Sequence, residues 1–549
     1  MSSVPNELNP PKTVIKNNSN SQQSAKSLIK HGSALSLLTL ISRILGLLRE
    51  MAKASILGTS ALSDAFSVAF MLPNLFRRLF AEGSISVAFI PTFKEYLLEN
   101  DRKKIREFLS SIFTFLTFFV TLVVIAGILT APIIIRLFGM EEIDETVLLT
   151  RIMFPYLGFI SLAALFQGIL NCLNIFTPSG LAPILLNITT IICAYGLSPF
   201  TQNPARAMAI GILLGGFLEA VIQLPFVIKK GQSFIFINLK KAINHPGTRK
   251  VLRLIGPTII GMAAYQLNDL VSTVLASNAG EGVVSSLQFS LRLQELILGI
   301  FAVSIGTVLL PNLAEHAKTF QWVVFNQRLF SAIKIIALIT IPITFFSLSE
   351  GQSLIRLLFQ SNNFDETSVK LTLSAFTFHI PGLFFIAMNR ILAPAFYAQS
   401  DTKSPTLAGI ISFAANIFFA VILVGPFRGA GIALALSLAS AINTVLLLVF
   451  LKKNPNITIG PALRSSVSYI FKLCVLSGIA VIPVYFLSPW LLTMFIGHGR
   501  IISYGIPLII NTLLFFFVGV TLLFLTKDKQ LLTLIEMFKH KTDSDRKEV

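Results

Sequence analysis

The chain has 549 residues, of which 54% are hydrophobic and only 13% are charged. A soluble protein carries roughly a quarter charged residues, so this composition excludes a water-soluble globular protein and favours lipid as the solvent. Lys and Arg exceed Asp and Glu by 44 − 26 = 18. Because the basic residues lie mostly in short connections between apolar segments, they indicate membrane orientation and not nucleic-acid binding.

The first 33 residues are rich in Asn, Ser, Pro and Lys and have no apolar core or small-residue cleavage site. Residues 1–33 are therefore predicted to be a disordered cytoplasmic tail and not a cleaved signal peptide. The three cysteines lie in apolar runs without metal-ligand spacing, and we interpret them as packing residues.

Apolar segments long enough to cross a bilayer follow along the rest of the chain. They predict an all-α integral membrane protein with about fourteen transmembrane helices, at 34–57, 65–93, 108–137, 147–171, 178–198, 206–228, 254–277, 284–313, 329–349, 371–396, 405–424, 429–451, 467–488 and 504–526. The even count puts both termini on one side. Alternate connections are rich in Lys and Arg, whereas the outer loops hold few of them, among them Arg428 and Arg500, so the termini are predicted to be cytoplasmic.

A faint internal repeat divides these helices into two blocks of six. Shifting the chain by 220 residues aligns Ser84, Ile85, Pro91 and Glu95 with Ser304, Ile305, Pro311 and Glu315. This predicts two lobes in a pseudo-twofold arrangement with a central site between them, plus two extra C-terminal helices. The predicted domains are an N-lobe over 34–230, a basic cytoplasmic loop over 231–253, a C-lobe over 254–453, helices 13 and 14 over 454–526, and a basic cytoplasmic tail over 527–549.

Ionisable residues lie well inside several of these helices. The first reads SRILGLLRE, the second DAFSVAFMLPNLFRRLFAEG and the eighth SLRLQELILG. An arginine that faces lipid at mid-membrane costs about 2.5–3.5 kcal/mol, so these side chains must face one another, carboxylates or a wet cavity. Basic groups outnumber acids, which predicts an anionic ligand, and the planar arginine fork suits phosphate. The candidate substrate-binding residues are Arg43, Arg49, Asp64, Asn74, Arg77, Arg78, Glu82, Arg292 and Glu295.

A purely structural role for these arginines remains open at this point. They can extend to the headgroups, or they can form ion pairs that only hold helices together. The spacing favours pairing of Arg78 with Glu82 and of Arg292 with Glu295. Asp269 in the seventh helix can accept a proton, coordinate Na⁺ or pair with an arginine. Four other charged residues are interpreted as interfacial anchors or local pairs: Arg151, Glu219, Lys334 and Arg390.

Three stretches of the chain resemble the MurJ (MviN) family of lipid II flippases. SRILGLLRE…SDAFSVAFMLPNLFRRLFAEGSISVAFIPTFKEY resembles the family's opening, RLQELILGIFAVSIGTVLLPNLAEHA is similar to its eighth helix, and LAPAFYAQSDTKSP is similar to its junction between helices 10 and 11. The resemblance begins near residue 34 and covers nearly all of the chain. It implies the two-lobed fold of the multidrug/oligosaccharidyl-lipid/polysaccharide exporter superfamily in the bacterial inner membrane, with helices 13 and 14 lining a lipid-tail groove.

The resemblance also implies a function in peptidoglycan synthesis. The substrate would be undecaprenyl-diphosphate-linked disaccharide-pentapeptide (lipid II), moved from the cytoplasmic to the periplasmic leaflet by alternating access. Further partners would be membrane lipids and cell-wall synthesis proteins. The family's cavity residues correspond to Arg43, Arg49, Asp64, Arg77 and Arg292, with Arg78, Asn74, Glu82 and Glu295 as neighbours.

The resemblance leaves the energy source open. A sodium-site acid of some family members corresponds to Asp269, and Asn416 is a matching partner on helix 11. Ala420, however, stands where a second acid is expected, so coupling to Na⁺, to H⁺ or to membrane potential remains undecided.

Other functions are weighed against this one. An exporter of another polyprenyl-diphosphate-linked glycan would need the same features. A cation-coupled drug exporter would have twelve helices and an acid-rich cavity, and a membrane enzyme acting on the same lipid would usually need a large outer loop. No Walker-type loop and no H-E-x-x-H, C-x-x-C or G-x-S-x-G motif occurs in the sequence, so we predict a transporter and not an enzyme.

Overall fold

The computed structural model describes residues 37–79, 88–455, 457 and 459–532, and the regular structure of this part of the chain is entirely helical. The helices are α1 (37–57), α2 (Ala61–Arg77), α3 (Ile90–Glu99), α4 (Arg102–Arg136), α5 (Ile143–Met153), α6 (Tyr156–Cys172), α7 (Thr177–Gly196), α8 (Pro204–Lys229), α9 (Leu239–Asn244), α10 (Pro246–Ser277), α11 (Val283–Lys318), α12 (Trp322–Phe359), α13 (Glu366–His379), α14 (Gly382–Tyr397), α15 (Lys403–Leu451), α16 (Ile459–Phe495) and α17 (Ile506–Leu525). A 3₁₀ turn at Ser198–Phe200 precedes α8, and a π-helical turn at Ile501–Gly505 leads into α17.

Many of these helices have the length and hydropathy of membrane spans. Within the described residues, eight helical segments meet both requirements, and a ninth is added if α13 and α14, bent by 45°, form one span. The predicted class, an all-helical membrane protein, is therefore confirmed. The count of fourteen spans remains a prediction.

Helix α15 shows why counting helices and counting spans give different numbers. It has 49 residues, and Arg428 interrupts it with non-helical angles, φ 48° and ψ −127°. At 1.5 Å per residue a straight helix of this length would extend about 74 Å, more than twice the hydrocarbon thickness of a bilayer. The two parts on either side of Arg428 correspond to the separate predicted spans 405–424 and 429–451.

The helices pack into two bundles that follow the chain order. Helices α3, α4, α6 and α8 surround one set of buried aromatic rings, in which Phe89, Phe93 and Phe108 stack. Helices α11 to α15 surround a second set that includes Phe289 and Phe359. A third apolar cluster joins the bundles through α2 and α11, and α16 and α17 pack on the second bundle against α12.

The bundles are also tied together by hydrogen bonds near the turn between α1 and α2. Asn363, in the connection between α12 and α13, donates its side-chain amide to the carbonyl oxygens of Ser55 at 2.9 Å and Ile56 at 3.1 Å. The Thr59 hydroxyl donates to Ser368 at 2.8 Å. These bonds close one end of the interface between the two bundles.

Candidate functional site

A cavity of about 560 Å³ is lined by residues of α1, α2, α3, α6, α7, α8 and α11. It brings together six of the nine residues that the sequence predicts for substrate binding: Arg43, Arg49, Asn74, Arg77, Arg78 and Arg292. Among the described residues that line it, all except Arg292 come from the first half of the chain. The described part of the wall is therefore formed mainly by the N-terminal bundle, and a position of the site midway between the two lobes stays a prediction.

Several arginines of the cavity are paired with carboxylates. Three of them have carboxylate partners: Arg49–Glu50 at 2.8 Å, Arg78–Asp269 at 3.0 Å and Arg292–Glu295 at 3.3 Å. Arg77 also donates its Nε–H to Asn74 Oδ1 at 2.8 Å. With Glu219 also in the wall, five arginines stand against four carboxylates among the described residues. Net positive charge in a wet cavity inside the membrane is suited to an anion.

The pairing of these arginines agrees only in part with the sequence spacing. Arg292 bonds Glu295 three positions along α11, as predicted. The described partner of Arg78 is Asp269 on α10. Glu82, the predicted partner of Arg78 and a predicted cavity residue, lies outside the described residues.

Two glycines make room for arginine side chains where α1 and α11 pack against each other. A Cβ atom added at Gly46 on α1 would overlap the Arg292 guanidinium, and a Cβ added at Gly299 on α11 would overlap the Arg43 guanidinium. Each helix thus supplies one arginine and one glycine to the crossing. Because each guanidinium group lies against a glycine that has no side chain, the crossing helices hold Arg43 and Arg292 beside each other at the cavity wall.

Polar residues on α6, α7 and α8 complete the wall, and the sequence analysis did not select them as site residues. Gln167 and Asn171 are four residues apart on α6, and Glu219 and Gln223 are four apart on α8. Glu219, interpreted from sequence as an anchor or local pair, is buried in this wall. Asn187 on α7 donates to the Ser42 carbonyl at 3.2 Å. The i, i+4 spacing of polar residues in apolar helices is the signal that could have identified the first four.

Arg390, interpreted from sequence as an interfacial anchor or local pair, also lies at a cavity. Arg390 on α14 lines a second cavity of about 250 Å³ together with Arg43, Arg292 and Glu295. Glu295, predicted in the substrate site, therefore faces this smaller cavity beside the main one. The second cavity extends the cationic surface toward the C-terminal bundle.

Asp64 has a different role from the predicted one. Its carboxylate is buried and accepts the backbone N–H groups of Gly282 at 2.8 Å and Ser285 at 2.7 Å. It thus caps the start of α11 from the opposite half of the chain, where an anion is favoured by the free N–H groups of the first turn. Lys53, which was not predicted as a site residue, is also buried and donates to Gln288 on α11 at 3.1 Å. Both residues connect the halves and do not line the cavity.

Asp269 faces a small cavity of about 80 Å³ next to α11 as well as Arg78. Asn416 on α15 donates to Asn268 at 2.7 Å in the same region. Among the described residues no three His, Cys, Asp or Glu side chains are grouped as metal ligands. The observed partner of Asp269 is an arginine, and the suggested sodium site remains a prediction.

Comparison with known proteins agrees with this architecture. Residues 53–501 match the family model described as "Lipid II flippase MurJ". A Treponema pallidum protein named "Probable lipid II flippase MurJ" is 46% identical over 92% of this chain and 97% of its own length. A Burkholderia cenocepacia protein named "Lipid II flippase MurJ" is 31% identical over 80% of this chain and 87% of its own.

Solved structures also include a similar lipid II flippase. A lipid II flippase MurJ in an inward closed conformation superposes with a TM-score of 0.74 at 27% identity, covering 90% of this chain and 99% of the other. An inward-facing multidrug resistance MATE transporter of the MOP superfamily superposes with a TM-score of 0.62 at 16% identity, covering 80% of this chain and 98% of the other, which shows a shared fold.

The helical bundles and the cationic cavity within them define a multi-pass membrane protein of the transporter class, with the fold of the MOP superfamily. The chain belongs to the lipid II flippase MurJ family.

Proposed function

We propose that this protein is a lipid II flippase of the bacterial inner membrane that binds the diphosphate of its substrate with the arginines of the 560 Å³ cavity. The observation that carries the proposal is the convergence of five arginines from α1, α2 and α11 on one space. Guanidinium groups donate paired hydrogen bonds to phosphate oxygens and keep their charge at any physiological pH. A doubly charged diphosphate suits a wall in which the described arginines outnumber the described carboxylates.

The lipid part of the substrate needs an apolar surface outside this cavity. Helices α16 and α17 expose large apolar side chains, among them Phe471, Phe486, Phe516 and Phe517. In the proposed complex the polyprenyl tail lies along these two helices in the bilayer while the head group enters the cavity. The tail then never leaves lipid, and only the polar head group needs a path across the membrane.

The transport step that we propose is alternating access. The bonds between Asn363 and the end of α1, and between Thr59 and Ser368, hold one end of the interface closed. With both termini cytoplasmic, this closed end is periplasmic and the cavity is loaded from the cytoplasmic leaflet. Bound diphosphate screens the repulsion among the arginines, which lets the bundles move and release the head group outward. Coupling to Na⁺, H⁺ or membrane potential would drive the return.

A drug exporter for organic cations is disfavoured by the same site, because five arginines in the wall would repel a cationic ligand. A catalytic role is tested separately by incubating the purified protein with lipid II. We expect the lipid to be recovered chemically unchanged, and a new product that depends on the protein would contradict the carrier function.

The binding role of the arginines is tested in cells depleted of their own flippase. Arg49, Arg77 and Arg292 are each replaced by Ala and by Lys, and Arg151→Ala is the control. Arg151 is an exposed arginine that bonds the Ile128 carbonyl at 3.3 Å and does not line the cavity. We expect the Ala variants to fail to support growth, the Lys variants to support it partly because they keep charge without the paired donors, and the control to support it fully. Full growth with all three Ala variants at normal protein levels would refute diphosphate binding by this cluster.

A further inference from the structure

A buried acid on α12 contacts a buried amide on α17, away from the arginine cavity. Glu350 is 2% exposed and Asn511 is 0% exposed. The Asn511 Nδ2–H donates to Glu350 Oε1 at 3.0 Å. Glu350 lies nine residues before the end of α12, which places it about 14 Å inside the helix end at 1.5 Å per residue. The pair joins α12 of the second bundle to α17 at membrane depth.

The remaining oxygen of each side chain is unsatisfied. Glu350 Oε2 and Asn511 Oδ1 are both buried, and neither makes a hydrogen bond to any described residue. Both atoms are acceptors when the carboxyl is ionised, so neither can satisfy the other. Buried polar atoms in folded proteins almost always have partners, and two unsatisfied acceptors on one hydrogen-bonded pair indicate that a donor hydrogen is required between them.

Within the part of the chain that the structure describes, no basic side chain forms an ion pair with Glu350. Among the described residues, the charged or titratable groups of neighbouring helices bond elsewhere: Arg356 to Glu366, His379 to Ser290, Lys472 to Asp528 and Arg500 to the Gln360 carbonyl. An isolated carboxylate buried in apolar surroundings usually becomes neutral instead of remaining charged.

We propose that Glu350 is a proton-binding site and carries a proton on Oε2. The protonated carboxyl and the Asn511 amide then form a ring of two hydrogen bonds. In one, the Asn511 Nδ2–H donates to Glu350 Oε1, and in the other the Glu350 Oε2–H donates to Asn511 Oδ1. This ring satisfies both orphan oxygens and attaches α17 to α12. The inference does not depend on the identity of the transported substrate.

The direct test is infrared spectroscopy on the purified full-length protein, comparing the wild type with Glu350→Gln. We expect the wild type to show the carbonyl stretching band of a protonated carboxyl, and Glu350→Gln to lose it. The matched control is Glu366→Gln, which removes an exposed acid that is ion-paired with Arg356 and should leave the band unchanged. Identical spectra for the wild type and Glu350→Gln in this region would overturn the proposal.

Thermal stability gives a second, independent test. Gln is the neutral counterpart of a protonated Glu and can form the same two-bond ring with Asn511, so Glu350→Gln should melt at the wild-type temperature. Glu350→Ala leaves Asn511 without a partner and should melt several degrees lower. The double variant Glu350→Gln with Asn511→Asp moves the acid to α17 and should restore stability relative to Glu350→Ala. If Glu350→Gln fails to fold, or melts as low as Glu350→Ala, the carboxyl is charged and the proposal is wrong.

Discussion

The contact between Asp64 and the start of α11 should control which end of the interface is open. Asp64 accepts two backbone N–H groups from the other half of the chain, and Gly282, the N-cap residue of α11, has no side chain to replace it. Hydrogen bonds to a charged group contribute about 1.5–3 kcal/mol each. Because water can recover part of this when the interface opens, we expect Asp64→Ala to weaken the closed state by about 2–4 kcal/mol. That corresponds to about 30-fold to several hundredfold in the equilibrium between closed and open forms.

The opening can be measured with a cysteine at Thr59, in the turn beside this contact, after the three native cysteines are replaced by serine. A membrane-impermeant maleimide should label this cysteine faster in Asp64→Ala than in the Asp64 parent. Asp365→Ala is the matched control, because Asp365 accepts the Ser368 backbone N–H at 2.8 Å within its own half and its loss should not separate the bundles. Equal labelling rates for Asp64→Ala and its parent, or an equal rise with Asp365→Ala, would refute the assigned role of Asp64.

Two further predictions follow from the site and its surroundings. Gly299→Ala should push the Arg43 guanidinium from its position against α11 and lower the flipping rate in proteoliposomes by about tenfold, roughly the loss of one charge-assisted contact. Gly409→Ala, where a Cβ would meet open space, should leave the rate unchanged, and equal rates for both variants would contradict the positioning role. Hydrogen bonding from the Ser368 backbone N–H lowers the pKa of the Asp365 carboxyl below its ordinary value. The stability difference between the wild type and Asp365→Ala should therefore be fully present above the ordinary pKa and disappear as the pH falls through the lowered one, and thermal unfolding with an unchanged difference down to strongly acidic pH would contradict it.

Much of the cationic site could be predicted from sequence because lipid limits where a charge can go. An arginine inside an apolar helix cannot face hydrocarbon, so Arg43, Arg49, Arg77 and Arg292 had to face the protein interior or water. The family resemblance then gave the function class, and the comparisons confirm the family. The fold class followed from hydropathy alone.

Contacts between different helices could not be predicted from the sequence alone. Asp64 lies in the same charged motif as the arginines, and only the packing of α2 against the start of α11 shows that backbone groups hold it. Arg390 stands alone in the sequence of α14, and its approach to Arg292 depends on how the second bundle folds. Sequence spacing detects neighbours on one helix and gives no information on which helices meet.

The measurement that tests the account most directly is the affinity of the purified protein for lipid II, compared between the wild type and a triple variant with Arg49, Arg77 and Arg292 replaced by Gln. Arg151→Gln serves as the control for loss of a positive charge outside the cavity. Each lost phosphate contact should cost about 1.5–3 kcal/mol, so the triple variant should bind at least about a thousandfold more weakly while the control binds as the wild type does. Equal affinity in the wild type and a folded triple variant would contradict the claim that these arginines hold the diphosphate.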